Sequence, residues 1–262
     1  MYTIPPDIVC FGSSSLFRQT EPGVLLKFPH PNINAYRSRP GFVEEKNGPF
    51  SVERRVLEFL GSHSRIVPYL RWHDKPGDEK GLLVAEASEG SLQKYMNEQN
   101  DALTPPSLGV IHADLRPENF LVHATSPTSL DIWLCDFGGA LCKKLGVDGG
   151  QLPDSGFFDP RSEWIVNEQT DIFSVGSLLY TILTGHWPYR EPPCGLFSSF
   201  DASREYDKKC DELFKRGEFP DVSGLFAGNV ILKCWEHEYE NAGEILQAMQ
   251  LEVEKVTDLA LS

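Results

Sequence analysis

Positive charge is scarce in this sequence: 24 lysines and arginines stand against 38 aspartates and glutamates, giving a net charge of -14 and a pI near 4.9. Binding to nucleic acid or anionic lipid draws on basic side chains that displace counterions, so neither partner is expected. Long apolar runs are also lacking, and no stretch has the length that crosses a bilayer. The opening residues, Met1 to Asp7, carry neither the charged start nor the apolar run of a signal peptide, so the expectation is an intracellular, cytoplasmic location. Cysteine is sparse and scattered. Cys10, Cys135, Cys142, Cys194, Cys210 and Cys234 form no C-x-x-C pair, which argues against a zinc site or a disulfide framework. Internal repeats and low-complexity tracts are absent. What is there is 262 residues with 40% hydrophobic side chains, enough to bury a substantial core.

The most informative stretch runs His112-Ala-Asp-Leu-Arg-Pro-Glu-Asn-Phe-Leu121 and puts a histidine, a carboxylate, a cation and an amide on one short loop. Further on, Leu134-Cys-Asp136-Phe-Gly-Gly139 adds a second carboxylate at the end of an apolar strand, beside glycines that let the chain turn sharply. Two carboxylates and an amide suggest a magnesium-phosphate site. Magnesium takes hard oxygen ligands, a few from protein and the rest from phosphate and water, which suits Asn119 and Asp136. Asp114 is then left to orient a hydroxyl nucleophile. Alone, either motif could be structural, with Asp114 capping a turn and Asp136 ending a hairpin strand.

The two motifs, in this order, resemble the H-R-D catalytic loop and the D-F-G motif of the eukaryotic protein kinases. The resemblance implies an α+β, bilobal protein-kinase-like fold over residues 1–262. A small antiparallel sheet with one helix would form an N-lobe to about residue 87, and a mainly helical C-lobe would follow from about residue 88. It also implies ATP and Mg²⁺ as cofactors and a protein as substrate.

In chain order, Ile8 to Phe11 and Val24 to Lys27 read as the strands of a tight hairpin, with Gly12 to Ser15 between them. By the resemblance, Gly12, Ser13 and Ser14 stand for the phosphate-binding loop, which keeps one glycine, and Lys27 for the lysine on the α- and β-phosphates. On its own, Lys27 reads more readily as a solvated strand-end lysine. A helix from Phe50 to Leu60, stopped by Gly61, places Glu53 on one face with Leu57 and Leu60. The family's partner for Lys27 is Glu53, whose bland alternative is a solvated helical glutamate. Ile66 to Trp72 and Leu82 to Ala87 read as strands. By resemblance Ala85 is the gatekeeper, Leu25 replaces the alanine above adenine, and the backbones of Glu86 and Ser88 bond the adenine edge. After a short helix from Leu92 to Gln99, the long apolar helix that the family places before the catalytic loop is missing. A chain without it would leave an apolar stripe uncovered, with low stability as the expectation.

Phe120 to His123 and Leu130 to Cys135 form a hairpin, and residues 139–159 read as an activation segment. Its usual A-P-E ending is replaced by Asp159-Pro-Arg161. Ile172 to Leu183 is an apolar helix opened by Thr170 and Asp171 and ending at Gly185. In the family the aspartate at position 171 anchors the catalytic-loop backbone, and the bland alternative is an N-terminal cap. Helical patterns follow near Glu205 to Lys215, Val230 to Trp235 and Ala242 to Val256. Arg161 is expected to pair with Glu238 or Glu240. Ala113 stands where phosphorylation-activated kinases carry an arginine, so a phosphate on Ser155 would lack that anchor.

The resemblance implies serine/threonine phosphotransfer, with Asp114 positioning the hydroxyl, Lys27 gripping phosphates, Glu53 orienting Lys27, and Arg116 offsetting developing charge. A different class is a pseudokinase, a binding module without turnover, favoured by the poor glycine loop, by Leu25 and by the missing helix before the catalytic loop. A small-molecule kinase is a third reading, opposed by the Asp136-Phe-Gly motif and the Asp171 helix.

Overall fold

In the computed structural model, residues 7–11, 15–30, 48–92, 109–126, 129–162, 165–190 and 197–261 are described, with side chains through residue 256. The phosphate-loop residues Gly12, Ser13 and Ser14 lie outside them. So does the span 93–108, on which the expectation of a missing helix falls. The chain divides into two compact units, Met1–Ser91 with Phe120–Gly150, and Leu92–Asn119 with Gln151–Ser262.

The first unit is built on a five-stranded antiparallel sheet in the order β1-β2-β3-β5-β4. Its strands are β1 (Ile8–Phe11), β2 (Ser15–Glu21), β3 (Val24–Pro29), β4 (Tyr69–His73) and β5 (Gly81–Ala85). The expected pairing of β1 with β3 is corrected. Ser15 to Glu21 is itself a strand, and β2 stands between the other two, because Leu16 alternates inward onto Leu26, Phe28 and Leu83. Helix α1 (Pro49–Leu60) starts with a proline whose fixed φ suits a first turn, and stops at Gly61 with φ 65°. Its buried face holds Val52, Glu53, Val56 and Leu57. The hairpin β6 (Phe120–Ser126) and β7 (Ser129–Leu134) comes next, followed by the two-residue ladder β8 (Leu141–Cys142) with β9 (Val147–Asp148).

The second unit is helical. Helix α2 (Glu168–Thr184) is capped by Asn167, whose side chain accepts from the Gln169 N–H at 2.9 Å, and ends at Gly185 with φ 77°. Helices α3 (Phe200–Lys215), α4 (Gly228–Trp235) and α5 (Ala242–Leu261) follow. The core is largely aromatic: Phe157, Phe173, Phe214 and Trp235 are fully buried, with ring centroids 5.0 Å apart for Phe173 and Phe214. Helix α2 packs closely on α4 where Gly176 faces Cys234, and Trp235 Nε1 donates to Ser177 Oγ at 2.9 Å. The expected uncovered apolar stripe is not found, since no residue of α2 from Gln169 to Thr184 is exposed. A five-stranded antiparallel sheet with one helix among the described residues, followed by a mainly helical C-terminal region, is the fold the resemblance implied. No helix of the described residues is long and apolar enough to cross a membrane.

Candidate active site

In the first unit, the middle strand β3 carries Lys27 onto the inner face of the sheet, and α1 brings Glu53 to it. Lys27 Nζ donates to Glu53 Oε1 at 2.9 Å and Oε2 at 2.8 Å, and to Asp136 Oδ1 at 2.8 Å. The rings of Phe17 and Phe50 lie 5.8 and 5.9 Å from the ammonium. Lys27 is 4% and Glu53 3% exposed, which rules out the solvated alternatives for both. A buried cation is stable only with partners, and here three carboxylate oxygens surround it. Burial opposes the charged amine, but Asp136 and Glu53 outweigh it and raise the Lys27 pKa. Burial pushes Glu53 up as well, to about 7, against the pull of the Lys27 ammonium. Contacts from both carboxylate oxygens to one ammonium favour the ionic form of this pair at neutral pH.

Asp136 has φ 63°, in the left-handed region that side chains other than glycine seldom adopt, and it leads into a 3₁₀ turn, Phe137–Gly139. The turn buries Phe137, whose backbone N–H bonds to Glu53. Behind it, Gly149 sits against the turn so tightly that a Cβ would lie 2.3 Å from the Gly138 carbonyl oxygen. Arg55 donates to the Leu145 carbonyl at 2.7 Å and ties α1 to the same segment. At the end of β5, the Glu86 N–H already donates to Gly23 O at 2.9 Å, so its backbone contribution to a ligand narrows to the carbonyl. The Ser88 hydroxyl accepts from the Ala124 N–H at 2.9 Å.

The second unit holds the catalytic-loop residues. Asp171 on α2 accepts from His112 N–H at 2.7 Å with Oδ2 and from Ala113 N–H at 2.9 Å with Oδ1. Asn167 is the helix cap, so the cap alternative for Asp171 fails. Burial raises the Asp171 pKa to about 6 against these two donors. The tie holds Ala113 at φ 62° and fixes the direction in which Asp114 leaves the loop. A 3₁₀ turn, Pro117–Asn119, aims Asn119 back at Asp114. The Asn119 amide nitrogen donates to Asp114 O at 2.7 Å and Oδ2 at 3.0 Å. Both partners are acceptors, so the NH₂ group must face them and the amide oxygen points away from them. An amide oxygen is a hard donor of the kind magnesium takes.

Two contacts had no signal in the sequence. Gln151 Nε2 donates to Asp114 Oδ2 at 3.1 Å, and Asp154 forms a close ion pair with Arg116 Nη1. Arg116 Nε also lies 3.7 Å from Asp114 Oδ1. Glutamine and aspartate in an aperiodic segment read only as solvated side chains. Ser155 bonds to Asp211, a carboxylate where a phosphate would want a cation. The expected pairing of Arg161 with Glu238 or Glu240 is corrected. Arg161 pairs with Asp159, donates closely to the Trp235 carbonyl and stacks on Phe219, while Glu238 pairs with Lys233. The neighbouring Asp159 is nearer, and the carbonyl at the end of α4 supplies a second acceptor.

Comparison with known proteins finds distant relatives. Serine/threonine-protein kinase RAD53 of Saccharomyces cerevisiae is 27% identical over 186 residues, 63% of this chain and 20% of its own length. Serine/threonine-protein kinase PknL of Mycobacterium tuberculosis is 24% identical over 210 residues, 72% of this chain and 50% of its own length. The chain is a distant homologue of the serine/threonine protein kinases. Ribosomal protein S6 kinase alpha-1 of Homo sapiens is 37% identical over 167 residues, 55% of this chain and 22% of the kinase. The chain thus spans between a fifth and a half of the length of these relatives. No family model matches it.

Proposed function

We propose that this protein kinase homologue transfers the γ-phosphate of ATP to a serine or threonine hydroxyl of a protein substrate. The carrying observation is the buried Lys27, held by Glu53 and Asp136 through three contacts of 2.8 to 2.9 Å. Two ionisable groups this deep, Lys27 and Glu53, are costly to bury, and a site that must grip phosphate gives a reason to keep them.

In this reading Lys27 binds the α- and β-phosphates and Glu53 keeps its ammonium in place. Gly12, Ser13 and Ser14 offer backbone N–H groups to phosphate oxygens, and the Glu86 carbonyl and Ser88 N–H meet the adenine edge. Asp114 accepts a hydrogen bond from the substrate hydroxyl and orients its oxygen toward phosphorus. Arg116 offsets charge on the transferred group with its planar guanidinium. Asn119 and Asp136 would hold magnesium, which when bound supplies positive charge to the phosphate oxygens.

A binding module with little turnover is the second reading. It is favoured by the engagement of Asp114 and Arg116 with Gln151 and Asp154. Phosphate transfer from labelled ATP to a mixed serine/threonine peptide pool separates the two. Transfer should require Mg²⁺ and fall by at least about a hundredfold in Asp114→Asn and in Lys27→Met, since both act by positioning and charge. Turnover unchanged in Asp114→Asn would remove the phosphotransfer reading, and tight ATP binding without transfer would establish the binding module.

A further inference from the structure

In the second unit, the ring of His237 lies between two acceptors. Its Nε2 meets Asp159 Oδ2 at 2.5 Å, and its Nδ1 meets Gln169 Oε1 at 2.9 Å. That amide is oriented from its other side, where Gln169 Nε2 donates to the Tyr239 carbonyl at 2.8 Å, so the oxygen and not the NH₂ group faces the ring. Asp159 is buried and takes hydrogen bonds from the Arg161 backbone N–H and guanidinium, so it too acts as an acceptor. A neutral imidazole has one N–H and one lone pair, and here it would set that lone pair against a carboxylate or an amide oxygen. The arrangement is satisfied by an imidazolium with a proton on each nitrogen.

The charges around the ring are mixed. On the stretch before α2, Asp159 favours the second proton and Arg161 opposes it. Helix α2 turns the neutral Gln169 and the Phe173 ring toward it, the latter with centroids 6.2 Å apart. On the loop that carries the ring, Glu236 and Glu238 flank it in sequence, and Glu238 is engaged by Lys233 of α4 at 3.4 Å. Arg161 does not displace the ring, because a carboxylate has lone pairs enough for both cations. The backbone is committed as well: His237 has φ 58°, a left-handed state that costs energy for such a residue, and its two ring contacts help hold it there. The side chain is 31% exposed, so protons reach it from solvent without unfolding.

We propose that His237 is a proton-operated latch, which when doubly protonated ties Asp159 to the first turn of α2 and opens when the ring gives up a proton. The tie is complete while the ring holds both protons and is lost as pH rises and one leaves; an imidazole in water makes that change at about pH 6.5. On the acid side Asp159 keeps its charge down to about pH 2, since the hydrogen bonds from His237 and Arg161 outweigh its burial. Phe157 and Phe158 anchor the preceding residues in the core, so opening loosens the stretch around Asp159 and leaves the helices in place. The latch stands on the geometry of the second unit and does not depend on the phosphotransfer reading.

Amide hydrogen exchange of the intact chain, read by peptide mass spectrometry over residues 157–162 and corrected for the pH dependence of unstructured amides, tests the latch at about pH 6 and about pH 9. Between the two, protection of this stretch in the parent should fall about tenfold more than protection of α2, the factor expected for losing one hydrogen bond to a charged group. His237→Gln keeps a donor but carries no charge, so its protection should be low and equal at both values. His237→Arg stays charged throughout, and its protection should be equal at both values and above that of His237→Gln. Exchange of α2 checks the fold of each variant, and should His237→Gln not fold, the parent against His237→Arg decides. A parent whose protection does not change with pH overturns the latch. A fall in His237→Arg or His237→Gln as large as the parent's traces the effect to another group and overturns it as well.

Discussion

Asp159 shows how much one carboxylate can gather. It accepts from the Arg161 backbone N–H at 2.9 Å and its Nε at 2.8 Å, and meets His237 Nε2 at 2.5 Å. Burial pushes its pKa up, but the hydrogen bonds from His237 and Arg161 outweigh that and hold it at about 2, below the ordinary 3.8. The folded state therefore releases this proton more readily than the unfolded chain. Its contribution to stability is full above the ordinary value and disappears as pH falls toward 2. Asp159→Asn should lower the urea midpoint at pH 7, with the gap from the parent narrowing between pH 4 and pH 2. A gap constant down to pH 2 would mean that the cluster carries no charge-dependent stability. None of this was legible in the sequence, where Asp159-Pro-Arg161 gave a departure from a motif and no partner. By contrast the pairing of Lys27 with Glu53 was legible. Each stands in a motif whose spacing is set by an element that the residues themselves specify.

At the level of elements, helices were read well because their boundaries are chemical. Pro49 and Gly61 bracket α1, and Gly185 closes α2. The start of α2 was placed two residues late at Thr170, since Asn167 with Glu168 and Gln169 reads as polar loop until the cap bond is seen. Strand β2 was missed for a related reason. Only its first half is buried, and Arg18 to Glu21 gives no apolar alternation. Helices α2 and α4 meet closely at Gly176, where a Cβ would lie 2.7 Å from Cys234 Cβ and 3.2 Å from the Ile231 carbonyl oxygen. Alanine is the better helix former by about 1 kcal/mol, but both obstacles are close to backbone and cannot rotate away. Gly176→Ala should therefore lose about 1 to 3 kcal/mol by overpacking, seen as a lower chemical-denaturation midpoint with an unchanged slope. Unchanged or higher stability would show that α2 and α4 can part without cost.

For the whole molecule the dominant quantity is charge. A net -14 spread over 262 residues attracts cationic partners and repels anionic ones, and this attraction is screened over about 10 Å at 0.1 M salt. With the proposed activity, peptides rich in lysine or arginine should be phosphorylated with a lower KM than acidic ones, and the advantage should shrink as salt rises from 0.05 to about 0.3 M. A salt-independent preference would trace selectivity to short-range contacts instead. Composition made this legible before any fold was known. The contacts of Gln151 and Asp154 were not, because they depend on where a segment without periodicity comes to rest. Gly149, which packs onto the Asp136 turn, bears on how such a chain can change over time. Every single-nucleotide change to a glycine codon that alters the residue adds a side chain, so position 149 has no neighbouring genotype that fits. Its history should be one of standing still while the surface around it drifts.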